Sequence, residues 1–377
     1  MTSKANIAQS VEARHLKNAV CSVVADFAEK IPARFNQQDK LRFSPVIPHM
    51  VEVAVKLQDF LANDELVVPY LGLGRFYYGQ GAYAEAEPWL TQCCSISQDR
   101  LGDNHLDVAV SLNELANLYL DQGRFNDAEL LYQKALAISK RLDSEHYRNA
   151  EFLNNLGTLF LFKGQYAEAE ATLLDALEIR KQQLGLDHLE TAESLNNLAN
   201  LYSQQARYEE AESLSRQALE IYEKCLEIDH PDVATSLNNL GEICRSAGKL
   251  DEAKTLFERA LSIRENQLGK EHPHVALSFN NLANLHFGKG NYSESEHYYQ
   301  KSLEAWEQQL GPDHPYVALA LHNLATLYYT QKKYDESEPN YQKSHINLEA
   351  AFGRKASRCF RCTKRFSQSL PRSRAFP

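Results

Sequence analysis

No run of apolar residues in this 377-residue chain approaches the length of a membrane span, so no membrane partner is expected. The opening residues, "MTSKANIAQSVEARHLKNAV", lack an apolar core followed by a small-residue cleavage site, and no secretory signal is expected. Cysteine is sparse. The seven cysteines are odd in number and irregularly spaced, which argues against a disulfide framework and for a reducing, cytoplasmic setting. From Gly353 onward there is no Asp or Glu, while Arg354, Lys355, Arg358, Arg361, Lys364, Arg365, Arg372 and Arg374 supply eight positive charges. Residues 1–352 hold 32 basic against 50 acidic residues, a net −18. Such a body repels phosphates, and nucleic acid is not expected as a partner. Catalytic signatures are missing too. There is no nucleophile–base constellation, paired-carboxylate motif or phosphate loop, and "GLGRFYYG" at Gly72 is not followed by Lys-Ser/Thr. The expectation is a protein that is not an enzyme, with no cofactor, metal or small-molecule substrate.

What the chain does have is a repeat. "SLNELANLY" at Ser111, "FLNNLGTLF" at Phe152, "SLNNLANLY" at Ser194, "SLNNLGEIC" at Ser236, "SFNNLANLH" at Ser278 and "ALHNLATLY" at Ala320 are near copies. Aligned on Asn113, Asn154, Asn196, Asn238, Asn280 and His322, they advance by 41 residues once and by 42 thereafter. A weaker copy begins near Tyr70, where Gly81 and Tyr83 stand 42 before Gly123 and Phe125, making seven units. In the second unit Leu112, Leu115, Ala116 and Tyr119 share one face of a first helix. "DQGRF" at Asp121 makes a tight turn with Gly123 as the stop. Ala128, Tyr132 and Ala135 then line a second helix. Ala116 and Ala128 are small enough for the two helices to approach closely.

Six histidines, His105, His146, His188, His230, His272 and His314, occupy one linker position in successive units. One per unit is too far apart for a shared ion, so they are expected to help stop one helix and start the next. Pro231, Pro273 and Pro315 follow three of them, where Pro suits a first helical turn.

This large–small pattern resembles the tetratricopeptide repeat. The linkers "LGDNHLDVA", "LEIDHPDVA", "LGKEHPHVA" and "LGPDHPYVA", together with "SLNNLA", make it similar to the longer kinesin light chain type. The resemblance spans residues 70–352. It implies an all-α, right-handed superhelical solenoid of about seven helical hairpins, whose first helices line a concave groove.

The recurrent asparagines need a reason, because Asn is a poor helix former. Its amide offers both a donor and an acceptor and so matches one peptide unit of an extended backbone. Helices packed ~8–10 Å apart would present a rung to roughly every third residue of a strand rising ~3.3 Å per residue. By the resemblance, the second Asn of each pair, Asn155, Asn197, Asn239, Asn281 and Asn323, holds a bound peptide. Asn117, Asn200 and Asn284 join them on the same face. The first Asn of each pair is expected to fix the stacking. The competing expectation is that all of them serve stacking alone. The partner expected is a protein or peptide segment, extended or short and helical, held by a scaffold or adaptor.

Residues 1–69 are not repeats and are expected to form a helical cap, which a solenoid needs. "PVIPHMVEVA" also resembles the segment before the repeats in STAND-type signalling NTPases, which would make the chain a sensor without its NTPase module. A kinesin light chain-like cargo adaptor is the other alternative, but residues 1–69 hold no sustained heptad. The periodicity stops at Gly353. Residues 353–377 are expected to form a disordered basic tail, and the lone Cys359-x-x-Cys362 in it is not expected to bind zinc.

Overall fold

The computed structural model describes residues 2–32, 37–142 and 147–357. His146, Cys359, Cys362 and most of the basic tail lie outside them. Seventeen α-helices and no strand occur among the described residues. Three come first: α1 (Thr2–Glu29), α2 (Gln37–Phe43) and α3 (Ile47–Lys56), followed by a 3-10 turn at Gln58–Phe60. Seven helical hairpins follow. They are α4 (Val68–Tyr78) with α5 (Tyr83–Leu101), α6 (Leu106–Asp121) with α7 (Phe125–Leu142), and α8 (Tyr147–Phe162) with α9 (Tyr166–Leu184). Next are α10 (Leu189–Gln204) with α11 (Tyr208–Cys225) and α12 (Pro231–Ser246) with α13 (Leu250–Leu268). The last are α14 (Pro273–Gly288) with α15 (Tyr292–Leu310) and α16 (Pro315–Thr330) with α17 (Tyr334–Ser357), which runs past Gly353.

The chain divides into two compact units. One holds Met1–Asp121 and Phe125–His272, the other Gln122–Arg124 and Pro273–Pro377. In the first, α1 and α3 pack on α4. Cys21, Ala25, Ala28, Met50 and Val53 form one core with Tyr70 and Leu73. The approach is close: a Cβ on Gly72 would lie 2.9 Å from that of Ala28. The Tyr70 hydroxyl donates to the Ala54 carbonyl at 2.5 Å, so the one polar atom of this buried ring is satisfied.

Every hairpin turns through one left-handed residue, which lets the chain reverse after the first helix and start the second. Gly81, Gly123, Gly164, Gly248 and Gly290 have φ between 72° and 81° there. Ala206 (φ 61°) and Lys332 (φ 62°) hold the same place without the freedom of glycine.

Between hairpins the linker histidine caps the following helix. Nδ1 of His105, His188, His230 and His314 accepts the backbone N–H two residues on, at 3.1–3.3 Å. The expected start-and-stop role therefore has a concrete form, an N-cap made by imidazole in place of a hydroxyl or carboxylate. His272 is used differently. Its Nε2 lies 3.3 Å from the Gly79 carbonyl, 193 residues away within the first unit. Burial pushes its pKa down to about 4.

Two predictions follow from the backbone and the linkers. Ala206→Gly relieves the left-handed strain and raises stability by about 1 kcal/mol, read as a higher unfolding midpoint by circular dichroism. Acid acts on His272: the unfolded chain takes the proton near pH 6.5 and the folded chain only near pH 4, so stability is lost as pH falls through that window. His272→Gln should flatten the parent's decline there. A variant that loses as much stability as the parent would exclude His272 as the cause.

Candidate functional site

The first helices form a row within each unit. In the first unit α4 meets α6, α6 meets α8, α8 meets α10 and α10 meets α12, whereas the second helices make no comparable contact with one another. The row is therefore the inner face, and it carries the asparagines.

The first Asn of each pair is buried. Asn113, Asn154, Asn196, Asn238 and Asn280 are at most 4% exposed. The second sits beside it and is half-buried at Asn155, Asn197, Asn239 and Asn323, and buried at Asn281. Three of these reach back one hairpin. Asn155 Nδ2 donates to Asn113 Oδ1 at 3.0 Å, Asn197 Nδ2 to Asn154 Oδ1 at 3.1 Å, and Asn323 Nδ2 to Asn280 Oδ1 at 2.9 Å. Successive first helices are thus joined amide to amide. Each bond leaves the second Asn with its carbonyl oxygen and one amide hydrogen. Asn239 makes no side-chain hydrogen bond among the described residues; the Asn196 oxygen instead faces the Ser236 hydroxyl at 3.4 Å and that of Ser215 at 3.5 Å.

The third asparagines answer to the second helix. Tyr132 OH donates to Asn117 Oδ1 at 2.7 Å and Tyr299 OH to Asn284 Oδ1 at 2.6 Å, while Thr326 and Tyr341 hydroxyls meet at 3.0 Å. Asn200, facing a hairpin with Ser215 in place of that Tyr, has no side-chain hydrogen bond among the described residues.

A rule invisible in any one repeat governs this contact. Where the small residue of the first helix is glycine, the residue opposite is apolar: Gly74 with Leu90, Gly157 with Leu173 and Gly241 with Phe257. An added Cβ would lie 2.3–2.7 Å from those side chains. Where the small residue is alanine, at Ala116, Ala199, Ala283 and Ala325, the residue sixteen further on carries a hydroxyl: Tyr132, Ser215, Tyr299 and Tyr341. That hydroxyl is then matched on the inner row.

The acidic side chains of the row are already paired. Arg75 Nε donates to Glu114 Oε1 at 2.8 Å, and that carboxylate raises the Arg75 pKa. Arg148 stands 3.8 Å from Glu151, and Arg245 2.9 Å from Glu242. Arg180 is buried; its Nη1 donates to the Glu190 carbonyl at 2.7 Å and to Ser194 Oγ at 2.8 Å, and its Nη2 lies 3.4 Å from Glu193. Each of these carboxylates therefore has an arginine of the chain beside it. The Arg180 position is held in the other repeats by Ser97, Ser139, Tyr222, Arg264, Trp306 and Leu348, every one of them buried, so an arginine in that column was the sequence signal for a buried charge. Glu151 accepts from Asn113 Nδ2 at 3.0 Å. A third of its side chain is exposed, yet protein atoms crowd the carboxylate and Glu114 adds like charge, so desolvation first and repulsion second push its pKa up to about 7.

Ligand-type atoms of Glu212, Cys244 and Glu252 cluster on the first unit. Glu212 is held by Lys249 at 2.8 Å and Arg216 at 2.9 Å, and burial raises the Cys244 thiol to about 11, so cations of the chain already neutralise the acids. No helix among the described residues is long and apolar enough to cross a membrane.

The family model for the tetratricopeptide repeat matches residues 65–141, 148–224, 207–266, 232–300 and 274–345. No curated protein matches the chain. Among solved structures, a Rap protein complexed with competence and sporulation factor aligns with TM-score 0.59 and 14% identity over 90% of this chain and 99% of its own. The apo quorum sensor NprR from B. thuringiensis aligns with TM-score 0.57 and 15% identity over 81% and 82%. A putative kinesin light chain repeat structure from Podosopora anserina is 29% identical over 52% of this chain and 92% of its own, with TM-score 0.40.

The Glu151 carboxyl generates a pH prediction. An ordinary Glu ionises near pH 4.5 and Glu151 in the folded chain near 7, so the folded state keeps a proton that the unfolded state releases. Its contribution to stability declines as pH rises through that window. Glu151→Gln should gain on the parent in thermal midpoint from below pH 4.5 to above pH 7; a constant difference would contradict the assignment.

Proposed function

Because the chain belongs to the tetratricopeptide repeat family, we propose that it binds a segment of another protein along the inner row of first helices and acts as a scaffold or adaptor rather than as an enzyme. The observation that carries this reading is the state of Asn200 and Asn239. Both are half-buried on the inner row and neither makes a side-chain hydrogen bond within the described chain. Each keeps a full amide, donor and acceptor, for a peptide backbone. Asn155, Asn197 and Asn323 contribute their remaining oxygen and one hydrogen, Asn117 and Asn284 their amide hydrogens, and Asn281 lines the same row.

The Rap and NprR likenesses supply the fold. The Rap neighbour is a complex with competence and sporulation factor, which is consistent with a binding role, but the chemistry rests on this chain's own residues. A second reading, a purely structural assembly block, draws on the amide bonds of Asn155, Asn197 and Asn323, which serve stacking.

Two sets of substitutions separate the readings. Asn200→Ala with Asn239→Ala should change stability by less than about 0.5 kcal/mol and weaken peptides selected by display on the parent about tenfold or more. Asn197→Ala should cost about 1 kcal/mol of stability, since it removes a half-buried hydrogen bond. Peptides bound equally well by the parent and the Asn200/Asn239 variant, or no selected peptides at all, would leave the stacking reading.

A further inference from the structure

α1 is only half embedded. Cys21, Val24, Ala25 and Ala28 are buried in the core of the first unit. Every residue from Glu12 to Val20 is exposed, and the Lys17 ammonium lies 4.7 Å from the Phe60 ring. A stretch of helix with no packed face, as at Glu12–Val20, is marginal in water on its own. Leu16, Val20, Val23 and Phe27 are 68%, 43%, 55% and 43% exposed. They advance by four, three and four residues, which sets them in one seam of a heptad, and the seam faces away from the buried side of the same helix. It is short, as the absence of a sustained heptad implied, because Lys30 occupies the next core position after Phe27.

We infer that this seam pairs with the same seam of a second copy of the chain, as a short parallel two-helix coil. The register favours that occupant. Val20 and Phe27 fall at a, and Leu16 and Val23 at d; a β-branched a position beside a leucine at d suits two strands. Continuing the register N-terminally puts Ala13 at a, where a small side chain leaves room for close approach. Glu12 falls at g and Lys17 at the e position five residues on, the spacing that faces opposite charges across two parallel helices. An antiparallel pair sets g against g and loses this complementarity. At the ~150–200 Å² that a large side chain carries, the four seam residues expose on the order of 350 Å² per copy. Two copies with the flanking side chains reach roughly the 1,000 Å² that a specific interface needs, so the pair is a weak, reversible dimer. The seam is distinct from the inner row of first helices.

The test is sedimentation of the full chain across micromolar concentrations, beside a Leu16→Glu, Val20→Glu variant. Both side chains are already in solvent, so the variant should keep its helix content by circular dichroism. A concentration-dependent dimer in the parent, weakened at least about tenfold in the variant, is the expected result. In a background with Cys225→Ser, Cys359→Ser and Cys362→Ser, Ala13→Cys should form an intermolecular disulfide under mild oxidation, since a faces a in a parallel pair. A parent that stays monomeric overturns the inference, as does a dimer indifferent to the two charges. A charge-sensitive dimer without the Ala13→Cys bridge overturns the parallel arrangement.

Discussion

Each hairpin depends on one close approach, where the small residue of the first helix meets the residue sixteen further on. A hairpin of two amphipathic helices cannot close around a Cβ that would sit 2.7 Å from Leu173 or Phe257, as it would at Gly157 or Gly241. With glycine there, an apolar side chain seals the contact. With alanine there, the partner is a tyrosine or serine, and its hydroxyl must find an acceptor because the site is buried. That need propagates to the inner row. Asn117 and Asn284 answer Tyr132 and Tyr299, and Thr326 answers Tyr341. Part of the polar character of the inner face is therefore a consequence of how each hairpin packs internally.

The rest of that character comes from stacking. A first helix shows its neighbour a buried asparagine whose carbonyl would be costly to leave unpaired, and the next helix supplies the amide. The bond specifies register, because it forms only when equivalent turns are aligned. It also consumes half of each rung. What is left is a ladder in which some rungs are half engaged and two, at Asn200 and Asn239, are whole. These two lie on adjacent first helices, α10 and α12, which places the strongest backbone-matching capacity within the first unit.

Much of this was legible in the sequence because the signals are periodic. The 42-residue step, the Gly81, Gly123 and Gly164 turns and the linker histidines each appear at a fixed offset, and local chemistry dictates their roles. Ala206 and Lys332 show the margin of such reading: they hold the left-handed turn, with φ of 61° and 62°, without the glycine that marks it elsewhere. The partners of the asparagines were not legible, since a donor–acceptor pairing 42 or 43 residues apart depends on which way each amide turns. Nor was the pairing of Glu151, Glu193 and Glu242 with arginines.

Two faces remain that the fold does not use up, and they differ in kind. The inner row is polar, with hydrogen-bonding capacity left over after packing is satisfied, so it suits an occupant whose backbone carries matching groups. The α1 seam is apolar and flanked by charges of both signs, so it suits another helix of the same pattern. Stability also distinguishes them. An amide of the inner row loses little by staying in water, since water satisfies it. A leucine and two valines held in water on the uncovered side of a helix gain from any partner that covers them. The seam is the surface whose exposure the fold alone does not explain, and pairing of two chains through it would carry two inner rows together, raising the effective concentration of one for a segment already held by the other.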